Sequence, residues 1–249
     1  MTKQAWYVGC SEDDIGQRVI LVGDPARVSR LATELDEVVF LPENRGLRTI
    51  TGRYAGTKVT VAAFGMGAPI AAIVLHELAH LGARVFLRIG TAMALPPLRL
   101  GEYLIASDAL CREGTSLAYV APGKELVEAD PAVAAALEIS LQEAGLPYRK
   151  GRIASFDAFY RDMFALEPDA VERVNAVRDE LLARSVLMAD METSAILTVG
   201  RALGVKAGSF CVASVDNASQ TKLDPQSMEA SEAQLFTIAL ETLTRTRLD

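Results

Sequence analysis

The sequence predicts a single three-layer α/β domain with a central mixed, largely parallel β-sheet flanked by helices on both faces. Short β-branched, apolar runs alternate along the chain with Ala-, Leu- and Glu-rich stretches of helical period. No repeat and no Pro-, Gly- or Ser-rich linker interrupts the 249 residues. Since α/β proteins of this length commonly form one domain, we expect one domain over residues 1–249.

The predicted elements follow one another as strands and helices. The predicted strands cover residues 19–22, 59–64, 85–89, 103–106 and 207–215, and the predicted helices cover 70–81, 131–144, 193–203 and 228–243. Most of the strands lack strict apolar and polar alternation, which is typical of strands covered on both faces. Asp130 before Pro131 marks a helix start, and Gly145 followed by Pro147 marks its end.

Residues 59–76 carry no formal charge, which raises the question of a membrane helix. Gly65, Gly67 and Pro69 interrupt the stretch, so a strand, a glycine turn and a helix beginning near Pro69 explain it better. The N-terminus lacks a basic segment followed by an apolar run, which argues against a signal peptide. We therefore expect no membrane association and a cytoplasmic location.

Charge and cysteine content narrow the class of protein further. Half of the residues are hydrophobic, 23% are charged and the net charge is −7, which favours a folded acidic protein over a nucleic-acid binder. Cys10, Cys111 and Cys211 are odd in number and lack paired spacing. This pattern favours reduced thiols without a structural disulfide.

Two strand ends carry residues suited to an anion. Gly23-Asp24-Pro25-Ala26-Arg27 follows an apolar strand and opens a predicted helix, where glycine permits close approach and arginine offers a planar donor fork. Arg88-Ile89-Gly90-Thr91 ends another strand. Because ligands gather beyond the carboxyl ends of strands in open α/β sheets, both segments are expected to face one crevice. The alternatives are an ordinary turn at 23–27 and a surface arginine at 88.

Asp190-Met191-Glu192 lies between an apolar run and a predicted helix. Carboxylates at such a junction can accept hydrogen bonds from the vicinal hydroxyls of a sugar. They can equally stabilise the helix N-terminus. Spacing alone does not separate these two interpretations.

In this order, these motifs resemble the purine and uridine phosphorylase family. The resemblance spans nearly the whole chain and includes Phe-Gly-Met-Gly at 64–67, Asn-Arg at 44–45, the segment 155–160 and Ser-Val-Asp-Asn at 214–217. It implies cleavage of the glycosidic bond of a ribonucleoside by inorganic phosphate, which yields free base and ribose 1-phosphate. It also implies that phosphate is a co-substrate and that the reaction needs neither a cofactor nor a metal.

The resemblance further implies a role for individual residues. Phosphate would be held by Gly23, Arg27, Arg88 and Thr91, with Arg45 from a neighbouring subunit; ribose by Met191, Glu192 and Tyr7, with Tyr7 closing a neighbour's site; and the base by Phe159, Met163 and Asp216. Arg27 and Arg88 would position the anion. Asp216 is the candidate acid that protonates the leaving base. The alternative for Asp216 is a turn-forming aspartate before Asn217.

Several positions depart from the family pattern. Met163 and Asn217 match the positions where uridine-specific members place a glutamine and an arginine, and Asp216, near the end of the last core strand, resembles the aspartate of the purine-cleaving members. The sequence therefore favours a purine nucleoside, with uridine as the alternative. Asp190 replaces a glutamate, Tyr7 a histidine and Met93 a glycine. Met93 is expected to narrow the base pocket.

Other functions compete with this interpretation. His76-Glu77-Leu78-Ala79-His80 matches a zinc-protease helix, but Glu102 and Asp108 are weak third ligands, so no metal site is predicted. Related nucleosidases use water, although they generally lack the Gly-Asp-Pro-x-Arg segment. A nucleoside-binding protein without turnover is a third possibility. The family resemblance also implies a homo-oligomer, at minimum a dimer and usually a hexamer, with shared active sites.

Overall fold

Ten strands and seven α-helices alternate in the computed structural model, which describes residues 2–121 and 123–248. The strands are β1 (Arg18–Val22), β2 (Asp36–Phe40), β3 (Thr49–Tyr54), β4 (Thr57–Ala63), β5 (Val85–Ala94), β6 (Tyr103–Arg112), β7 (Leu126–Glu128), β8 (Tyr148–Phe156), β9 (Val186–Asp190) and β10 (Lys206–Asp216). The helices are α1 (Pro25–Leu31), α2 (Ala68–His80), α3 (Gly114–Tyr119), α4 (Pro131–Glu143), α5 (Val171–Ala183), α6 (Thr193–Ala202) and α7 (Pro225–Arg245).

All ten strands belong to one sheet. Strand β1 pairs in parallel with β4 and β5, and β5 pairs in parallel with β10. From β10 the pairing continues through β6, β8 and β9, and β9 returns antiparallel to β5, so these five strands form a closed ring. The predicted fold class is confirmed. Within the described residues, half of the ten strand pairings are parallel, a smaller share than the sequence suggested.

Small side chains fill the ring. One buried cluster draws on all five of its strands, and it includes Ala92, Ala94, Leu104, Ala106, Ile153, Met188, Cys211 and Ala213. On three of the strands the contributing residues are two positions apart, as expected for side chains on one face of a strand. Alanines predominate because the strands surround a narrow interior, in which larger side chains would overpack.

Helices cover both faces of the sheet, as predicted. On one face, α1, α4 and α7 bury residues such as Leu31, Leu137 and Leu240 against the strands. On the other face, α2 and α6 contribute residues such as Leu75 and Ile196. The sheet is therefore apolar on both sides, which explains why its central strands lack alternation.

Every strand and helix predicted from sequence is present, with boundaries shifted by a few residues. Strands β5 and β6 run about twice as far as predicted because Thr91 and Asp108 interrupt their apolar pattern. Sequence analysis did not predict β2, β3, β7 and β8 or the helices α3 and α5. Of these, β2 is a mostly exposed edge strand, and β8 begins with the exposed Arg149 and Lys150. Exposed strands lack the apolar run on which prediction depends.

The uncharged stretch at 59–76 divides into the end of β4, a turn and the start of α2, as predicted. Gly65 and Gly67 form the turn with positive φ angles of 85° and 100°, a conformation that favours glycine. Among the described residues, no helix is long and apolar enough to cross a membrane. The three cysteines are buried free thiols, and burial raises the pKa of each.

Candidate active site

A cavity of about 810 Å³ lies beyond the carboxyl ends of β1, β4 and β10, beside the middle of β5. Eight of the residues predicted to form the site line it, namely Gly23, Arg27, Arg88, Thr91, Phe159, Met163, Met191 and Glu192. These four strands are mutually parallel, so their ends meet at one edge of the sheet. The predicted convergence of Arg27 and Arg88 on one crevice agrees with this geometry.

The turn after β1 brings Arg27 to the cavity. A Cβ atom at Gly23 would lie 3.0 Å from the carbonyl oxygen of Gly65, so only glycine lets the two turns approach this closely. Asp24 caps α1 by accepting a hydrogen bond of 2.9 Å from the Ala26 amide. The Arg27 side chain is largely buried, and its Nε donates to Glu232 Oε1 at 2.7 Å.

Arg88 lies in the middle of β5 and is 4% exposed. One terminal nitrogen donates to Glu192 Oε2 at 2.8 Å and lies 3.1 Å from Asp190 Oδ2, while the other is 2.7 Å from Cys211 Sγ. Burial opposes the charge of Arg88, but Cys211 and the two carboxylates outweigh it and raise its pKa. A Cβ atom at Gly90 would meet this guanidinium at 3.0 Å, which explains the glycine.

The two carboxylates after β9 have different partners. Asp190 accepts hydrogen bonds from Ser155 Oγ at 2.6 Å and Thr193 Oγ1 at 2.5 Å, and from the Thr193 amide at the start of α6. Glu192 accepts from the Gly67 amide at 2.8 Å. Asp190 therefore stabilises the start of α6, whereas Glu192 joins that segment to the glycine turn before α2. The helix-stabilising interpretation fits Asp190, whereas Glu192 lines the cavity, where sugar binding stays a prediction.

The other end of the cavity is mostly apolar, although Lys222 contributes to its wall. Phe159 begins a single turn of π-helix that ends at Met163, and its ring stacks on Phe164 with centroids 5.8 Å apart. Met93 also lines this end, as expected, and Asn217 Nδ2 lies 2.9 Å from its sulfur. No carboxylate or amide side chain lines this end among the described residues.

Sequence analysis missed several residues of the cavity wall. Phe164, Leu166 and Lys222 line it without belonging to a recognised motif, and Lys222 is placed there by an isolated bridge to Val215. Ser214 and Val215 also line it; they belong to the Ser-Val-Asp-Asn segment, but only Asp216 of that segment was given a role. The pairing that folds the loop after β10 back onto the strand is a tertiary contact, so no sequence signal marked Lys222.

Asp216 is the predicted residue that agrees least with the geometry. It does not line the cavity, and its Oδ1 accepts hydrogen bonds from the backbone amide and hydroxyl of Ser219 at 2.8 and 2.7 Å. These bonds, with the backbone bond as the largest cause, lower the pKa of Asp216. A carboxyl that loses its proton this readily is a poor general acid, so the turn-forming alternative fits better.

Tyr7 and Arg45 lie together, away from this cavity. The Arg45 guanidinium carbon is 5.3 Å from the centre of the Tyr7 ring, and Arg45 has a positive φ of 54°. Tyr7 lines a different cavity, with residues of α2 and α3. Neither residue completes the site of its own chain, so their predicted role requires a second subunit.

The zinc-protease pattern has a structural explanation. The Glu77 carboxylate accepts hydrogen bonds from the backbone amides of Trp6, Tyr7 and Val8 at 2.9 to 3.1 Å, which anchors the N-terminal segment on α2. The ring of His76 lies beside that of Tyr119. Across the described residues, no group of three or more His, Cys, Asp or Glu side chains is arranged to hold a metal ion.

Comparison with known proteins agrees with this geometry. Residues 17–244 match the phosphorylase superfamily. The chain belongs to this superfamily. The resemblance to the purine and uridine phosphorylases is thereby confirmed.

Individual relatives cover most of the chain. A uridine phosphorylase of Thermococcus kodakarensis is 33% identical over 209 residues, which are 83% of this chain and 75% of that protein. One of Salmonella typhimurium is 30% identical over 96% of this chain and 97% of its own length. A guanosine phosphorylase of Halorubrum lacusprofundi is 31% identical, covering 85% and 83% of the two chains. The crystal structure of uridine phosphorylase from Vibrio fischeri has a TM-score of 0.86 and 31% identity, covering 97% and 98% of the two chains.

The names of these relatives bear on the expected substrate. Most are uridine phosphorylases, so the purine preference expected from sequence is not supported and the uridine alternative is favoured. The purine preference rested on Met163 and Asn217 and on Asp216 as a contact to the base. Asp216 does not line the cavity, so one of these grounds is lost.

Proposed function

We propose that the protein is a nucleoside phosphorylase that cleaves the glycosidic bond of uridine with inorganic phosphate, releasing uracil and ribose 1-phosphate. The observation that carries this proposal is the convergence of Arg27, Arg88 and Glu192 on one cavity whose opposite end is apolar and aromatic. The cavity therefore offers a cationic region for phosphate, a carboxylate for ribose and an aromatic region for the base.

At the anion end, Arg27 would supply the donor fork. Within the described residues, the Arg27 side chain makes one hydrogen bond, from Nε to Glu232. Its two terminal nitrogens remain for phosphate oxygens, assisted by Thr91 and the close-approaching backbone at Gly23. Arg88 would contribute its positive charge to the anion end rather than free donor groups, because its terminal nitrogens already have protein partners.

In the middle, Glu192 would accept hydrogen bonds from the ribose hydroxyls, with Met191 packed against the sugar. A phosphate oxygen would attack the anomeric carbon as the bond from that carbon to the base nitrogen breaks. Positive charge grows on the ribose at this stage, and both the phosphate and the Glu192 carboxylate favour it electrostatically. The electron pair of the broken bond stays on the base, which takes up the proton that monohydrogen phosphate loses, directly or through water, and leaves as neutral uracil. No covalent enzyme intermediate is required.

At the far end, Phe159 would stack on the base, and Met163 and Met93 would close the pocket around it. The names of the relatives support uridine as the first candidate. Guanosine is the second candidate because one relative is a guanosine phosphorylase. Inosine and adenosine complete the set of nucleosides to be compared.

The position of Tyr7 and Arg45 supports a homo-oligomer, at minimum a dimer, in which each subunit contributes these residues to its neighbour's cavity. A hexamer built from such dimers would satisfy the same requirement. A solution mass of 26.7 kDa, the mass of one chain, would contradict shared sites.

A substrate panel tests the proposed reaction. Uridine, guanosine, inosine and adenosine are each incubated with and without phosphate, and free base and ribose 1-phosphate are quantified. We expect base release from uridine only when phosphate is present. Equal release without phosphate would indicate a hydrolase, and nucleoside binding without any product would indicate a binding protein.

A further inference from the structure

We infer that Glu232, on α7, is a positioning residue that holds Arg27 in the orientation needed to bind phosphate. This inference rests on the proposed function, since it concerns the anion end of the same cavity. Glu232 does not line the cavity and lies in no motif, so sequence analysis could not identify it.

Glu232 bridges two arginines of α1 with its two oxygens. Oε1 is 2.7 Å from Arg27 Nε, and Oε2 is 2.8 Å from a terminal nitrogen of Arg30. The side chains of Glu232 and Arg27 are only 13% and 11% exposed, whereas that of Arg30 is 45% exposed. The contact to Arg27 is therefore the one shielded from water, where a charged hydrogen bond has most effect.

This contact determines which donors Arg27 presents to the cavity. A guanidinium is a rigid planar fork, so a bond at Nε fixes the direction of both terminal nitrogens. Because Nε donates to Glu232 on α7, the two terminal nitrogens remain available for a ligand in the cavity that Arg27 lines. Preorganisation of this kind lowers the entropy lost when the anion binds.

The same carboxylate also balances charge on α1. Arg27 and Arg30 are three residues apart on the helix, on neighbouring positions of its surface. Glu232 neutralises one of the two positive charges. Its negative charge would also repel the incoming phosphate. Positioning of Arg27 strengthens phosphate binding whereas repulsion weakens it, so an experiment can separate the two effects.

Two variants distinguish the effects. Glu232→Gln keeps an oxygen that can accept the Arg27 Nε–H but removes the negative charge, whereas Glu232→Ala removes both. Isothermal titration with inorganic phosphate measures the dissociation constant directly, without turnover. Glu229→Ala serves as the matched control because Glu229 is exposed and one turn earlier on α7.

We expect Glu232→Ala to weaken phosphate binding about tenfold, the effect of one charged hydrogen bond, and Glu232→Gln to weaken it less than about threefold. The KM for phosphate is expected to rise in parallel while the KM for the nucleoside stays unchanged. Thermal melting of both variants and the control is expected to remain close to wild type.

Other outcomes would overturn the inference. Tighter phosphate binding in both variants would mean that repulsion dominates, and equal rises in both KM values would mean a structural role. If the wild type binds phosphate with the expected variant pattern but produces no ribose 1-phosphate, the proposed function fails and the positioning role stands. If the wild type does not bind phosphate, both fail.

Discussion

The two ends of the cavity are built on different principles. At the anion end, Arg27 and Arg88 are held by carboxylates at 2.7 and 2.8 Å, next to glycines that permit close approach. At the base end, Phe159 and Met163 belong to a short π-helical turn and contribute packing surface without directed hydrogen bonds. Under the proposed function, we expect the anion end to determine the type of reaction and the base end to determine the substrate.

Within the anion end, the two arginines also differ. Arg88 is buried with two carboxylates, so its charge is required for the stability of the fold as well as for binding. Arg27 lies at the wall of the cavity with one principal partner. Substitutions are expected to separate these roles.

The largest effect is expected from Arg88→Ala. Its loss would leave the buried carboxylates of Asp190 and Glu192 without their positive partner. Removing one member of a buried ion pair typically costs about 3–5 kcal/mol. Urea denaturation should show a free energy of unfolding reduced by roughly this amount, together with loss of activity. Unchanged stability would indicate that the two carboxylates do not depend on Arg88.

Arg27→Ala should separate binding from folding. Removing one preorganised donor group typically lowers turnover efficiency about 100-fold, so kcat/KM for phosphate should fall by roughly that factor. The melting temperature should change by only a few degrees because Glu232 keeps Arg30 as a charged partner when Arg27 is removed. Arg30→Ala is the matched control, since Arg30 shares Glu232 but does not line the cavity. Wild-type phosphate dependence in Arg27→Ala would contradict the proposed site.

At the base end, Met163→Gln would add a donor and an acceptor to the pocket wall. We expect the ratio of kcat/KM for uridine to that for inosine to rise about three- to tenfold, because one added hydrogen bond contributes about 1 kcal/mol. Met66→Gln is the control, as Met66 lines the cavity but is 85% exposed. A ratio that stays constant would mean that the base does not contact Met163.

The smallest effect is expected from Asp216→Asn. A true general acid contributes about 10²–10⁴-fold, whereas we expect a change below about twofold and an unaltered pH profile of kcat. The lowered pKa of Asp216 means that its carboxylate stabilises the fold at neutral pH, and this contribution is lost as the pH falls through the folded-state pKa. The variant should therefore lose a little stability at pH 7 and none in acid. A large loss of turnover would restore Asp216 as the acid.

The anion end and the base end of the cavity also differ in how well their residues could be predicted from sequence. Gly23, Arg27, Arg88 and Glu192 all lie in short motifs, and all line the cavity. Phe164 and Lys222, in contrast, lie in loops without a motif. Asp216 shows that a motif at the end of a strand is not sufficient, because its neighbour Val215 lines the cavity and Asp216 does not.

The sequence by itself determined the α/β class, the central strands and helices, and the residues of the anion end, because hydrophobic periodicity and glycine-dependent turns are local properties. Only the tertiary structure decided that five strands close into a ring and that Glu232 reaches Arg27 from 205 residues away. These features depend on contacts between distant segments, whose geometry is set by packing of the whole chain.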